Sequence, residues 1–213
     1  MPSLEALHWG PASGATPRHL VILCHGLGAD AYDLIDLAPT WAKACPDAIF
    51  ASVHAPFPHD SGFGRQWWSV ADRSPPVMEA GIRTAAPYLL DFINAELERL
   101  NLQDYAIMGF SQGAMIALFA GLRGPTAPRA VLAFSGALMA PQTLKKELTN
   151  RPPVLLIHGE DDDVVPASRS REAKAALQAA GVTVDAHFIP HLGHGIDDTG
   201  ISFGALALQR GFS

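Results

Sequence analysis

Cysteine is scarce: the chain has two in 213 residues, Cys24 and Cys45. Two thiols make no disulfide framework, and their spacing fits no zinc site. We expect two free thiols in a reducing compartment, with Cys24 buried inside the apolar run Leu20–Cys24. Long apolar runs are also missing. None approaches the ~20 residues that a membrane-spanning helix needs. Met1–Gly14 lacks the basic-then-apolar layout of a signal peptide, so a cytoplasmic protein without stable membrane insertion is expected. Basic runs are absent too. Lys and Arg number 15 against 21 Asp and Glu, for a formal net charge of −6. That balance argues against nucleic acid or an anionic membrane as partner. Charged residues make up only 17% and hydrophobic residues 48%, which excludes a disordered chain and implies a packed core.

No repeat, linker or charged tail divides the chain, so residues 1–213 read as a single domain. Short apolar runs alternate with longer helical patterns. Leu20–Cys24, Ala48–Val53, Tyr105–Met108, Ala130–Phe134, Val154–His158 and Val182–Phe188 read as strands. Tyr32–Lys43, Val77–Leu100, Gln112–Leu122, Ser168–Ala180 and Ile201–Gln209 read as helices. Strands joined by crossover helices imply an α/β fold with a mostly parallel central sheet and helices on both faces. A strand near Leu4–Trp9 adds an antiparallel edge. Ligands in such sheets bind beyond the carboxyl ends of the strands. His54–Pro76 reads as a long loop, rich in Pro and Gly, that walls an apolar pocket with Phe57, Phe63, Trp67 and Trp68.

Gly109-Phe110-Ser111-Gln112-Gly113 stands between a predicted strand and a predicted helix. G-x-S-x-G in that context holds a serine on a sharp turn with its hydroxyl exposed, and the flanking glycines avoid collisions. Ser111 is the candidate nucleophile. A serine hydroxyl needs a base, and on this kind of turn the acid and then the histidine follow in the chain. Four histidines lie downstream: His158, His187, His191 and His194. His158 precedes every candidate acid, and His187 alternates within a strand. His194, between Gly193 and Gly195, is preferred over His191. The acid comes from Glu160, Asp161, Asp162 and Asp163, among which the residues alone do not choose. It accepts the imidazole Nδ1–H and fixes its tautomer. His187, His191 and His194 are spaced i, i+4, i+7, but Pro190 and Gly193 interrupt any helix there, so no metal site is expected. Two backbone N–H groups can stabilise the oxyanion: Gln112, after the nucleophile, and Leu27, in His25-Gly26-Leu27-Gly28 after the first strong strand.

Three motifs now stand in order: Leu-Cys-His-Gly-Leu-Gly (23–28), Gly-Phe-Ser-Gln-Gly (109–113), and His-Gly-Glu-Asp-Asp-Asp-Val-Val-Pro (158–166) with Gly-His-Gly (193–195). Together they resemble the phospholipase/carboxylesterase family, which includes acyl-protein thioesterases and small bacterial carboxylesterases. The resemblance covers nearly the whole chain. It implies an α/β-hydrolase fold without a large lid domain. It also implies hydrolysis of carboxylic esters of short-to-medium acyl chains through an acyl-serine, or of thioesters, without a cofactor. The family's H-G-x-x-D-x-x-V-P motif selects Asp162 by register, although Asp163 stands where members often carry proline. The same likeness implies His194 as base and Leu27 and Gln112 as oxyanion donors. It further implies that Arg65-Gln66-Trp67-Trp68 borders the acyl pocket. The partner expected is a small-molecule ester or thioester, and the protein a monomer or homodimer. A ligand-binding pseudo-hydrolase would carry a broken triad, and this one is intact in sequence.

Overall fold

The computed structural model describes residues 4–213. Its centre is a seven-stranded sheet of β1 (Ala6–Trp9), β2 (His19–Cys24), β3 (Ala48–Val53), β6 (Tyr105–Phe110), β7 (Val131–Phe134), β8 (Val154–Gly159) and β9 (Val184–Ile189), with β4 (Phe57–Pro58) and β5 (Arg65–Gln66) lying outside it. Their spatial order is β1-β3-β2-β6-β7-β8-β9. Only β1 runs antiparallel, against β3. The remaining pairs are parallel.

The central strands are almost continuously apolar because both faces are covered. Side chains alternate across a strand. On β2, Leu20, Ile22 and Cys24 pack with Ile82, Leu89 and Ile116, whereas Val21 and Leu23 pack with Trp41 and Leu208. The first face carries α3 (Pro75–Leu100), α4 (Gln112–Arg123) and α6 (Ser168–Ala179). The second carries α1 (Ala31–Ile35), α2 (Ala38–Trp41) and α7 (Asp198–Gly211). This is the α/β-hydrolase architecture, with no large lid domain among the described residues. No helix there is long and apolar enough to cross a membrane.

The chain moves from β2 out to β3, then returns through α3 to place β6 on the other side of β2. The strand order therefore reverses between β2 and β6, with Cys24 paired to Gly109. The carboxyl ends at such a reversal leave a crevice. The loop after β2 and the turn after β6 both open into it.

Three local readings are corrected. Tyr32–Lys43 is two short helices, because Pro39 has no N–H to give the Ile35 carbonyl. The stretch His54–Pro76 is not featureless. It folds back as a small hairpin, β4 (Phe57–Pro58) against β5 (Arg65–Gln66), and α3 begins at Pro75. A 3-10 turn (Pro141–Thr143) and α5 (Leu144–Glu147) follow β7 where no element was expected.

Glu147 ties this last segment to the body. It accepts from Arg83 Nη2 at 2.9 Å, Arg123 Nε at 2.9 Å and Thr143 Oγ1 at 2.7 Å. Burial works to raise its carboxyl, but these hydrogen bonds outweigh that and hold it down at about 2. A carboxyl lowered in the folded state stabilises above its ordinary value of 4.5, and that stabilisation is lost as pH falls through about 2. Glu147→Gln is therefore expected to lower the urea midpoint more at pH 7 than at pH 3. Equal losses at both would contradict the assignment.

Candidate active site

The turn after β6 holds Ser111 at φ 54° and ψ −117°, an uncommon conformation for a residue with a side chain. The backbone can turn this sharply only because both flanking glycines lack a Cβ. One at Gly109 would collide with the Gly113 carbonyl, and one at Gly113 with the Cys24 carbonyl. Ser111 then starts α4.

Ser111 Oγ lies 3.0 Å from His194 Nε2, and His194 Nδ1 lies 2.7 Å from Asp162 Oδ2. His194 sits on the loop after β9 and Asp162 on the loop after β8. The three side chains are thus delivered by the carboxyl ends of β6, β8 and β9. Asp162 is buried, whereas Glu160, Asp161 and Asp163 are exposed. Its Oδ1 accepts the N–H groups of Val164 at 3.0 Å and Val165 at 2.8 Å. Burial works to raise the Asp162 carboxyl, but hydrogen bonds from His194, Val165 and Val164 hold it below the usual carboxylate range. His194 packs against the Phe110 ring at 4.8 Å. His191 is exposed beside Asp161, and His187 stacks on Phe203, so neither joins His194.

Leu27 and Gln112 flank Ser111 from the ends of β2 and β6, and both line the same cavity as Ser111. Neither backbone N–H is given to a protein acceptor among the described residues. The loop bearing Leu27 is held from several sides. His25 Nε2 accepts the Ala55 N–H at 3.0 Å, so its proton rests on Nδ1, donated to the Gly26 carbonyl at 2.7 Å. Burial keeps His25 neutral, down at about 4. Trp67 Nε1 donates to the His25 carbonyl at 3.0 Å, and Gly28 N–H to the Arg65 carbonyl at 2.8 Å. The Gln112 side chain accepts from Trp67 N–H at 2.9 Å and donates to the Trp68 carbonyl at 2.8 Å. The hairpin therefore braces both flanks of Ser111.

The cavity at Ser111 has a volume of about 380 Å³. Trp68, Val70, Met78, Met115, Leu138 and Met139 give it an apolar lining. Of the four aromatics expected there, only Trp68 lines it. Trp67 is fully buried beside His25, Phe57 packs edge-on against Tyr88, and Phe63 stands 83% exposed near the hairpin's end. Arg65 faces inward instead, donating to the Ala55 carbonyl at 2.8 Å and the Pro56 carbonyl at 3.3 Å. The methionines escaped the sequence reading because an apolar residue on a helix carries no sign of which cavity it faces. The Gln112 side chain escaped it because its partners lie 44 and 45 residues away.

A family model described as Phospholipase/Carboxylesterase matches residues 12–205. Esterase YpfH of Escherichia coli (strain K12) is 29% identical over 189 residues, spanning 87% of this chain and 80% of that protein. Acyl-protein thioesterase 1 of Neurospora crassa is 28% identical over 201 residues, spanning 84% of this chain and 82% of that protein. The crystal structure of esterase PE8 superposes with a TM-score of 0.91 at 36% identity, covering 97% of this chain and 98% of that one.

Proposed function

The chain belongs to the phospholipase/carboxylesterase family and is a serine hydrolase of esters or thioesters, and we propose that it cleaves short-to-medium acyl esters through an acyl-Ser111 intermediate. The observation that carries this reading is the unbroken line Ser111 Oγ–His194 Nε2 at 3.0 Å and His194 Nδ1–Asp162 Oδ2 at 2.7 Å. His194 takes the Ser111 proton as Oγ attacks the acyl carbonyl, and Asp162 holds the tautomer and stabilises the imidazolium. The Leu27 and Gln112 N–H groups receive the developing oxyanion. His194 then protonates the departing alcohol or thiol. Water, deprotonated by His194 in turn, attacks the acyl-Ser111 carbonyl and releases the acid. The chain acts as one catalytic domain. A cytoplasmic setting is supported by two buried thiols that remain free.

The cavity argues for the acyl range. Ligand clefts run from roughly 300 to 1,000 Å³, and about 380 Å³ is near the lower bound. Across p-nitrophenyl esters from acetate to decanoate, kcat/KM is expected to peak between butyrate and octanoate. A flat, slow response equal to that of Ser111→Ala would overturn the function. A peak at decanoate would overturn the acyl range alone. The likeness to acyl-protein thioesterase 1 supports thioester cleavage as the second reading. A kcat/KM for an S-acyl peptide well above that for the matching simple ester would select it.

A further inference from the structure

A second imidazole touches the acid at the same oxygen as His194. His158, at the end of β8, is buried, as are Asp162 and Ser170 of α6. His158 Nε2 lies 2.7 Å from the Val165 carbonyl oxygen and 3.1 Å from Asp162 Oδ2, and Nδ1 lies 2.7 Å from Ser170 Oγ. Both neighbours of Nε2 only accept, so Nε2 carries the proton, donates it to the Val165 carbonyl and leaves Asp162 Oδ2 as a close electrostatic contact. Nδ1 is then an acceptor, and the Ser170 hydroxyl donates to it. The Gly136 carbonyl, at 3.4 Å from Ser170 Oγ, is the weaker alternative for that proton. Burial lowers His158 below the ordinary histidine range, more than Asp162 raises it, so the ring stays neutral with one N–H. The titratable groups that face it are Asp162 and His194.

Asp162 thus receives three hydrogen bonds and one close N–H contact. Oδ1 takes the Val164 and Val165 N–H groups, Oδ2 takes His194, and His158 Nε2 stands 3.1 Å from Oδ2. An ionised carboxylate offers about four acceptor sites, so His158 faces the one left over. Val165 closes a loop by donating to Oδ1 and accepting from His158. Three of these four N–H groups do not change during the reaction. They pin the carboxylate while the fourth, His194, turns from imidazole to imidazolium and back.

We propose that His158 is a positioning residue. Oriented by Ser170 and by the Val165 carbonyl, it keeps its Nε2–H 3.1 Å from Asp162 Oδ2 and so holds that oxygen on His194 Nδ1. This rests on Asp162 being the acid of the reaction. Two consequences follow. Without the His158 N–H, the carboxylate can swing, which slows the chemical steps but not substrate capture, since His158 does not line the substrate cavity. The lost donor also leaves more negative charge on Oδ2. The His194 imidazolium then has a stronger partner, and activity fails at a higher pH on the acid side.

The test compares His158→Leu, His158→Gln, His158→Asn and Ser170→Ala on p-nitrophenyl butyrate. Outer-sphere partners of a reacting group typically carry ten- to a hundredfold in activity, by analogy with metal sites. His158→Leu is therefore expected to lose about ten- to a hundredfold in kcat with KM little changed. Its acid limb of kcat/KM should move up by about half a pH unit, a threefold change in proton affinity. A glutamine amide reaches the Nε2 position, so His158→Gln recovers most of the rate and the original acid limb. An asparagine amide reaches only Nδ1, so His158→Asn behaves like His158→Leu. Ser170→Ala falls between wild type and His158→Leu. A folded His158→Leu with the wild-type rate and acid limb would overturn the proposal. If His158→Leu does not fold, the other pair decides, and equal activity of His158→Gln and His158→Asn overturns it. Asp162→Asn in the same assay separates the two levels. Full activity there removes the acid itself, whereas its inactivity beside normal His158 variants removes only the positioning role.

Discussion

Ser111→Ala is expected to lower kcat on p-nitrophenyl butyrate by roughly 10⁵–10⁶-fold, because removing a nucleophile from a unit of this kind costs that much. The residual rate reflects the two N–H groups and the cavity acting on water. The fold is expected to survive unchanged. The Ser111 side chain makes one hydrogen bond, to His194, and alanine meets the same backbone at φ 54°. The thermal midpoint therefore stays within a degree or two, so lost activity cannot be charged to unfolding. A loss of less than about tenfold in a folded Ser111→Ala would mean that another group attacks the ester.

Asp162→Asn carries the second large effect, and its sign follows from the hydrogen bonds around the carboxylate. Oδ1 accepts two backbone N–H groups. An asparagine must put its carbonyl oxygen there, which turns its NH₂ toward the Oδ2 position. That NH₂ meets His194 Nδ1–H, donor against donor. The His194 proton moves to Nε2 and the ring can no longer take the Ser111 proton. A wrong tautomer of this kind costs about 10⁴-fold in kcat. Asp161→Asn and Asp163→Asn, on exposed side chains, are expected to stay within about twofold of wild type, as surface changes usually do. This comparison also decides the register. A full loss at Asp161 or Asp163 with Asp162→Asn active would move the acid by one position.

What the sequence made legible follows from where the physics is local. The strand–turn–helix around Ser111 is written in adjacent residues, since two glycines must flank a serine held at positive φ. Its strand–turn–helix context could be read directly, whereas the reversal of strand order between β2 and β6 came only with the fold. The central strands were equally plain because burial on both faces leaves no polar alternation. The choice among Glu160, Asp161, Asp162 and Asp163 was not local. It depends on which carboxylate the turn buries under His194, 32 residues away, and only the family motif's register pointed to one. The pocket was misread for a related reason. Aromatic content drew attention to the stretch 54–76, yet Trp67 turns inward to the His25 carbonyl and Phe63 outward to solvent. Beside Trp68 and Val70, much of the lining comes from α3, α4 and the segment after β7, whose methionines look like ordinary core. His158 was set aside because it precedes the acid in the chain. In space that same order puts it against the carboxylate, 3.1 Å from Oδ2.

The most direct measurement is covalent labelling with an alkyl fluorophosphonate, read by mass on the intact protein and then on its peptides. The account predicts one phosphonyl adduct, on the peptide carrying Ser111, with loss of esterase activity in step with labelling. Ser111→Ala takes no label, and His194→Ala takes it far more slowly. Full inactivation with the adduct on another residue, or a hydrolytically active protein that never labels at Ser111, would contradict it.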